Sequence, residues 1–205
     1  FLGLYQSTFP SENVFSTKWY TGLKFTAIYD TRNNPLMPTK GLYWQTTLRG
    51  LQQLNENHLR SGTFHTDFTA YLNPDGHGTL VIANRSGLAA NAGDPAFFQM
   101  VKLGGSVNLR GFYRGRFTGT SLAFNNLELR IKVFDFNSYL FPGKVGLIGF
   151  HDIGRVWSKG VQSNTWHNGY GGGIFFSPAD LLLLQAVLGT SKESTMTYVG
   201  MGFRF

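Results

Sequence analysis

The stretch NLELRIKV (126–133) sets Leu127, Leu129, Ile131 and Val133 on alternate positions. Asn126, Glu128, Arg130 and Lys132 fill the gaps. A period of two puts each set on its own face of an extended strand. One face is then wholly apolar, and the other carries full charges of both signs. The same alternation runs through most of the chain. Leu23, Phe25, Ala27 and Tyr29 alternate with Lys24, Thr26 and Asp30. Leu42, Trp44, Thr46 and Leu48 oppose Tyr43, Gln45, Thr47 and Arg49. Phe64, Thr66, Phe68, Ala70 and Leu72 oppose His65, Asp67, Thr69 and Tyr71. A weaker segment covers 79–88. Beyond 126–133 come 145–157, then Tyr170, Gly172, Ile174 and Phe176. Leu182, Leu184, Ala186 and Leu188 follow, and Val199, Met201, Phe203 and Phe205 close the series. This gives nine strands, with a candidate tenth at Phe1–Thr8.

The composition narrows what these strands build. Among 205 residues there are 26 glycines, 16% aromatics and only 14% charged side chains. A soluble domain carries about a quarter charged residues. A soluble sandwich also alternates, but presents a more charged face to water. Few charges, many aromatics and many glycines suit a closed sheet with lipid outside and a hydrated lumen inside. No apolar run approaches the roughly 20 residues that a membrane helix needs. Trp19, Tyr20, Trp157, Trp166 and Tyr170 lie near strand ends, where interfacial aromatics gather. Without cysteine there is neither a disulfide framework nor a thiolate metal site. The net charge of +7 is spread at strand spacing and not gathered into a patch, which argues against nucleic acid. The fold expected is therefore all-β: a transmembrane antiparallel β-barrel, with residues 1–205 in a single barrel domain.

The connections alternate in length. Segments 32–40, 74–78, 137–143 and 177–180 hold the Pro, Gly, Asn and Asp of tight turns. The longest break, 89–119, and the polar stretch 158–167 lie at the other end. Outer-membrane barrels keep short turns on the periplasmic side and long loops outside. On that rule 89–119 is extracellular. Within it stands LGGSVNLRGFYRGRFTG (103–119), and GFHDIGRVW (149–157) follows downstream. An Arg-Gly-aromatic tip is thus available to an acidic residue on a later strand.

These motifs resemble those of the BamA/TamA outer-membrane assembly family, the bacterial surface antigen barrel. VNLRGFYRGRF resembles its plug-loop motif, here Leu109, Arg110, Gly111 and Phe112. GFHDIGRVW resembles its Phe-x-Asp-x-Gly strand motif, here Phe150, Asp152 and Gly154. YDTRNNPLMPTKG resembles its strand-turn-strand signature. YVGMGFRF resembles its C-terminal signal strand, here Tyr198, Gly200, Phe203 and Phe205. The resemblance implies the C-terminal nine or ten strands of a sixteen-stranded barrel, with 89–119 folded inward as a plug. It implies that Arg110 pairs with Asp152, with Glu128 as a second partner on the lumen face. A guanidinium offers a planar fork that a carboxylate accepts in two bonds. Gly111 permits a tight turn beside the wall, and Phe112 or Tyr113 packs on wall glycines.

The function implied is insertion or translocation of outer-membrane proteins. Two alternatives are export of a dedicated partner through the pore and anchorage of an upstream enzyme domain. Outer-membrane lipid, client proteins, periplasmic modules and accessory lipoproteins are the partners implied. Neither a cofactor nor catalysis is expected, for the chain lacks a Gly-x-Ser-x-Gly elbow and a convergent carboxylate pair. His65 and Asp67 share a face but are too few for a metal site. Gly169, Gly171, Gly172 and Gly173 lack the Lys-Ser/Thr of a phosphate loop and read as thin wall, where a loop or an aromatic ring approaches.

Overall fold

The structure is a computed structural model that describes residues 17–55, 60–136, 142–158, 165–178 and 181–202. Four long strands come first: β1 (Tyr20–Asp30), β2 (Gly41–Gln53), β3 (Arg60–Leu72) and β4 (Leu80–Gly93). A loop follows, with a short 3₁₀ turn at Phe97–Gln99 and a small hairpin of β5 (Val101–Leu103) and β6 (Phe117–Gly119). Then come β7 (Ser121–Phe136), β8 (Gly143–Trp157), β9 (His167–Pro178), β10 (Leu184–Thr190) and β11 (Thr195–Met201). All but β5 and β6 join one antiparallel sheet in the order β1-β2-β3-β4-β7-β8-β9-β10-β11. Each long strand pairs with its neighbour in sequence, so short connections suffice. The loop leaves and re-enters between the paired strands β4 and β7. From β1 to β9 each main-sheet strand has 11 to 16 residues, enough to cross a hydrocarbon core that tilted strands span in about 9–11.

The break opens later than its sequence suggests. β4 continues to Gly93, with Ser61–Leu72 on one side and Ser121–Ile131 on the other. Residues 89–93 are Ala-Ala-Asn-Ala-Gly, weak strand formers whose pairing is decided by their neighbours. The candidate strand at Phe1–Thr8 and the terminal Phe203 and Phe205 lie outside the described residues.

The sheet is apolar where it is exposed and polar where it is buried. Leu129 and Ile131 are 42% and 44% exposed, whereas Glu128 between its apolar neighbours is fully buried. Leu23, Phe25, Leu48, Phe68, Leu147, Ile174 and Leu188 are also exposed. Asn126, Arg130, Asp152 and Thr69 are buried. A water-soluble sheet does the reverse. Several polar groups on the outer face bond to one another, which lowers the cost of apolar surroundings. The amides of Asn84 and Asn125 exchange hydrogen bonds at 3.2 and 3.0 Å, and Asn125 also donates to Ser86. Trp44 donates to the Thr66 hydroxyl, which also meets that of Thr46. At the strand ends Trp19, Trp166 and Tyr170 are exposed, and Trp157 packs edge-on against Trp166.

The polar face is the inside of a curl. The turn after β1 sends Leu36 and Met37 against a buried cluster of Ile148, Phe150, Phe175, Leu183 and Val187. The nearest of those strands, β8, stands four places from β2 in the sheet. Four spacings of about 4.8 Å make roughly 19 Å, a gap that a flat sheet leaves open. The turn is stiffened from within: Asn33 Oδ1 accepts from the amides of Thr39 and Lys40, and Asn34 Oδ1 from those of Leu36 and Met37.

Candidate functional site

The loop between β4 and β7 lies over the polar face of the sheet. Its apolar residues seat it first. Leu103, Leu109 and Phe112 are buried with Val101, Ala89, Leu122 and Phe124, and Phe117 packs at the margin. Phe112 meets the His167 ring edge-on, and Phe117 stacks on the same ring at 3.7 Å. The turn is closed by one polar group of its own and two from the wall. Asn108 Oδ1 accepts from the Gly104 amide at 2.8 Å, and the Asn126 side chain donates to the Asn108 carbonyl at 2.9 Å. Arg85 donates to the Val107 carbonyl at 3.0 Å.

This seating delivers Arg110 into the wall, where it is 2% exposed. Its Nε and Nη2 donate to Oδ2 and Oδ1 of Asp152, each at 2.9 Å, a two-bond fork. Its backbone amide gives Oδ2 a further bond at 2.9 Å. Nη1 donates to Glu128 Oε2 at 2.9 Å, and Arg130 Nε donates to Glu128 Oε1 at 2.8 Å. The Phe150 ring lies 3.4 Å under the guanidinium carbon, a cation over an aromatic face. Burial alone would weaken the hold of Arg110 on its proton. The bonds and charges of Asp152 and Glu128 outweigh it and raise the pKa above the ordinary arginine value. Two arginines and two carboxylates thus balance in charge, and isolating any one of them in this dry setting is costly.

Glycines in the wall make room. A Cβ on Gly169 of β9 would collide with the Arg110 carbonyl, and one on Gly154 would lie 2.9 Å from Leu103. At Gly171 it would meet the Leu188 carbonyl and, at 2.8 Å, the Phe150 ring. Gly111 itself has φ +88°, which disfavours any residue with a side chain.

The Omp85 superfamily domain matches residues 4–203. The chain belongs to the Omp85 superfamily. Among solved structures, that of BamA from Haemophilus ducreyi lacking POTRA domains 1-3 has a TM-score of 0.66 at 19% identity. The alignment covers 88% of this chain and 42% of that one, so this Omp85 chain spans less than half the length of that BamA chain. At that identity the likeness concerns the fold alone. No curated protein matches the chain.

Of the residues singled out in this Omp85 sequence, Arg110, Asp152 and Glu128 come together directly. Leu109 and Phe112 serve as the apolar seat of the loop. Phe150 lies under Arg110, and Gly154 leaves space for Leu103. Tyr113 does not pack on the wall but is 64% exposed, because Phe112 takes the inward position. Of the wall glycines, Gly169 admits the loop backbone and none admits an aromatic ring from the loop. Gly171 does admit a ring, but that of Phe150 from the neighbouring strand. His65 sits 3.5 Å from Asp67, whose other oxygen takes Arg85 at 3.1 Å. Among the described residues no group of three or more metal-binding side chains exists. The sequence reading missed Asn108, Ser191 and Ser194. An Asn or Ser in a turn carries no mark of the distant backbone it will bind.

Proposed function

We propose that this chain is the C-terminal portion of an outer-membrane β-barrel that inserts or translocates outer-membrane proteins. The barrel is closed by strands that precede β1, sixteen in all, and the loop at 94–120 is its internal plug. The observation that carries the reading is the buried Arg110–Asp152–Glu128 cluster on the polar face of a sheet whose other face is apolar and exposed. Omp85 membership and the fold likeness to BamA support it. The connections after β1, β3, β7 and β9 face the periplasm and the plug loop enters from outside. Lipid covers the outer face, and periplasmic modules with accessory lipoproteins hand over the clients. The role is non-catalytic.

The mechanism uses the seam at which β11 would meet the first strand of the closed barrel. Among the described residues β11 pairs only with β10. An unpaired edge offers a row of backbone donors and acceptors to another strand. Gly200 brings no side chain to pack across such a seam. Parting the seam would let a client strand add to β11 and pass sideways into lipid. A disulfide from Val199→Cys to the first barrel strand of the full-length protein is expected to abolish client insertion into liposomes, with activity restored by reductant. Undiminished insertion by the locked protein contradicts the mechanism.

A further inference from the structure

The plug is held at a second place that does not use the Arg110 side chain. The Gly111 amide donates to the Tyr198 hydroxyl at 3.0 Å. The Gly111 carbonyl accepts from the hydroxyls of Ser191 and Ser194 at 2.6 and 2.7 Å. One residue, Gly111, is thus gripped through both its amide and its carbonyl by the β10–β11 hairpin. Arg116 adds a bond to Glu193 in the same turn at 2.7 Å, but this pair is exposed and weak. The fit is close. A Cβ on Gly189 of β10 would lie 3.0 Å from the Tyr198 ring, 3.1 Å from Arg110 Cβ and 3.2 Å from the Gly111 nitrogen. A Cβ on Gly111 would lie 2.7 Å from the Thr190 carbonyl carbon.

We infer that Ser191, Ser194 and Tyr198 are positioning residues that tie the plug to the terminal strand. Tyr198 belongs to β11, the edge strand that the proposed seam must move. A shift of β11 away from the polar face withdraws the Tyr198 hydroxyl from Gly111 and loosens the plug. Release of the plug in turn frees β11 from an inward restraint. A change at one contact is felt at the other because both act on the backbone of Gly111. The hydroxyls are neutral donors and acceptors, so the tie is weaker than the Arg110 cluster and yields first. This inference rests on the reading of the loop as a lumen plug.

The test places spin labels on the full-length protein in lipid nanodiscs, through Arg114→Cys on the loop and Asn168→Cys on the rim of β9. Pulsed dipolar spectroscopy then reads the distance between them. The parent protein is expected to give one narrow distance. Ser191→Ala, Ser194→Ala and Tyr198→Phe together are expected to add a second, longer distance and to move the seated-to-released ratio by about tenfold. A second label pair, Val199→Cys with a site on β8, is expected to broaden when Arg110→Ala is introduced. Tyr198→Phe alone keeps the ring against Gly189, and it serves as the readout if the triple variant does not fold. A distance distribution identical to the parent in the folded variant refutes the tie. Client insertion plays no part in this measurement, so the mechanism of insertion and the tie fail separately. A loop label that reports bulk water and no fixed distance in the parent protein instead refutes the plug reading.

Discussion

Arg110→Ala is expected to destabilise the folded protein by about 3–5 kcal/mol, the cost of leaving one side of a buried ion pair alone. The change takes the two-bond guanidinium fork from Asp152 and one of two arginines from Glu128. Asp152 is fully buried, so water cannot replace the fork. The Phe150 ring also loses the cation that covers it. Arg110→Lys is expected to recover part of the loss, because an ammonium keeps the charge but cannot make the planar two-bond contact. Urea titration of the folded protein in liposomes reads the stability. Single-channel conductance reads the plug: the alanine variant is expected to open more often and to higher levels. Parent-like stability together with parent-like conductance would show that Arg110 is not what seats the loop.

Gly169→Ala is expected to dislodge the loop without touching a charged residue. The added methyl would occupy the place of the Arg110 carbonyl oxygen, and the amides on either side of that carbonyl are already held by Asp152 and Tyr198. Overpacking of this kind costs about 1–3 kcal/mol. The loop relieves the collision by lifting, so conductance is expected to rise as in Arg110→Ala, though with both carboxylates and Arg110 intact. Gly149→Ala is the control. A Cβ there meets nothing within 4 Å, and the change is expected to stay within about 0.5 kcal/mol of the parent. Equal behaviour of the two variants in conductance and urea titration would remove the close approach of loop and wall from the account.

Much of the fold could be read from the order of apolar and polar residues. The alternation in 126–133 marked both the strand and which side chains face inward, because one period governs pairing and burial alike. It faded at 89–93, where small residues pair only because β3 and β7 flank them. The Arg110–Asp152 contact was legible only through motif resemblance. No spacing rule joins residues 42 apart across a loop. The hairpin's grip on Gly111 was not legible at all. Ser191 and Ser194 belong to a turn whose composition suits any hairpin, and their hydroxyls become specific only when β9 and β10 present glycines that let the loop backbone come close. Curvature was hidden for a related reason: the contact of Leu36 and Met37 with β8–β10 is set by how far the sheet bends, not by either segment alone.

The central claim is an inverted sheet, with lipid against the leucine face and the charged face turned inward around the loop. Spin labels placed singly along 126–133 of the full-length protein in nanodiscs test it most directly, by comparing collisions with oxygen, which concentrates in lipid, and with a water-soluble nickel chelate. Positions 127, 129, 131 and 133 are expected to favour oxygen, and positions 126, 128, 130 and 132 to be shielded from it. Strong nickel collisions at Leu129 and Ile131, with no alternation along the strand, would contradict the claim.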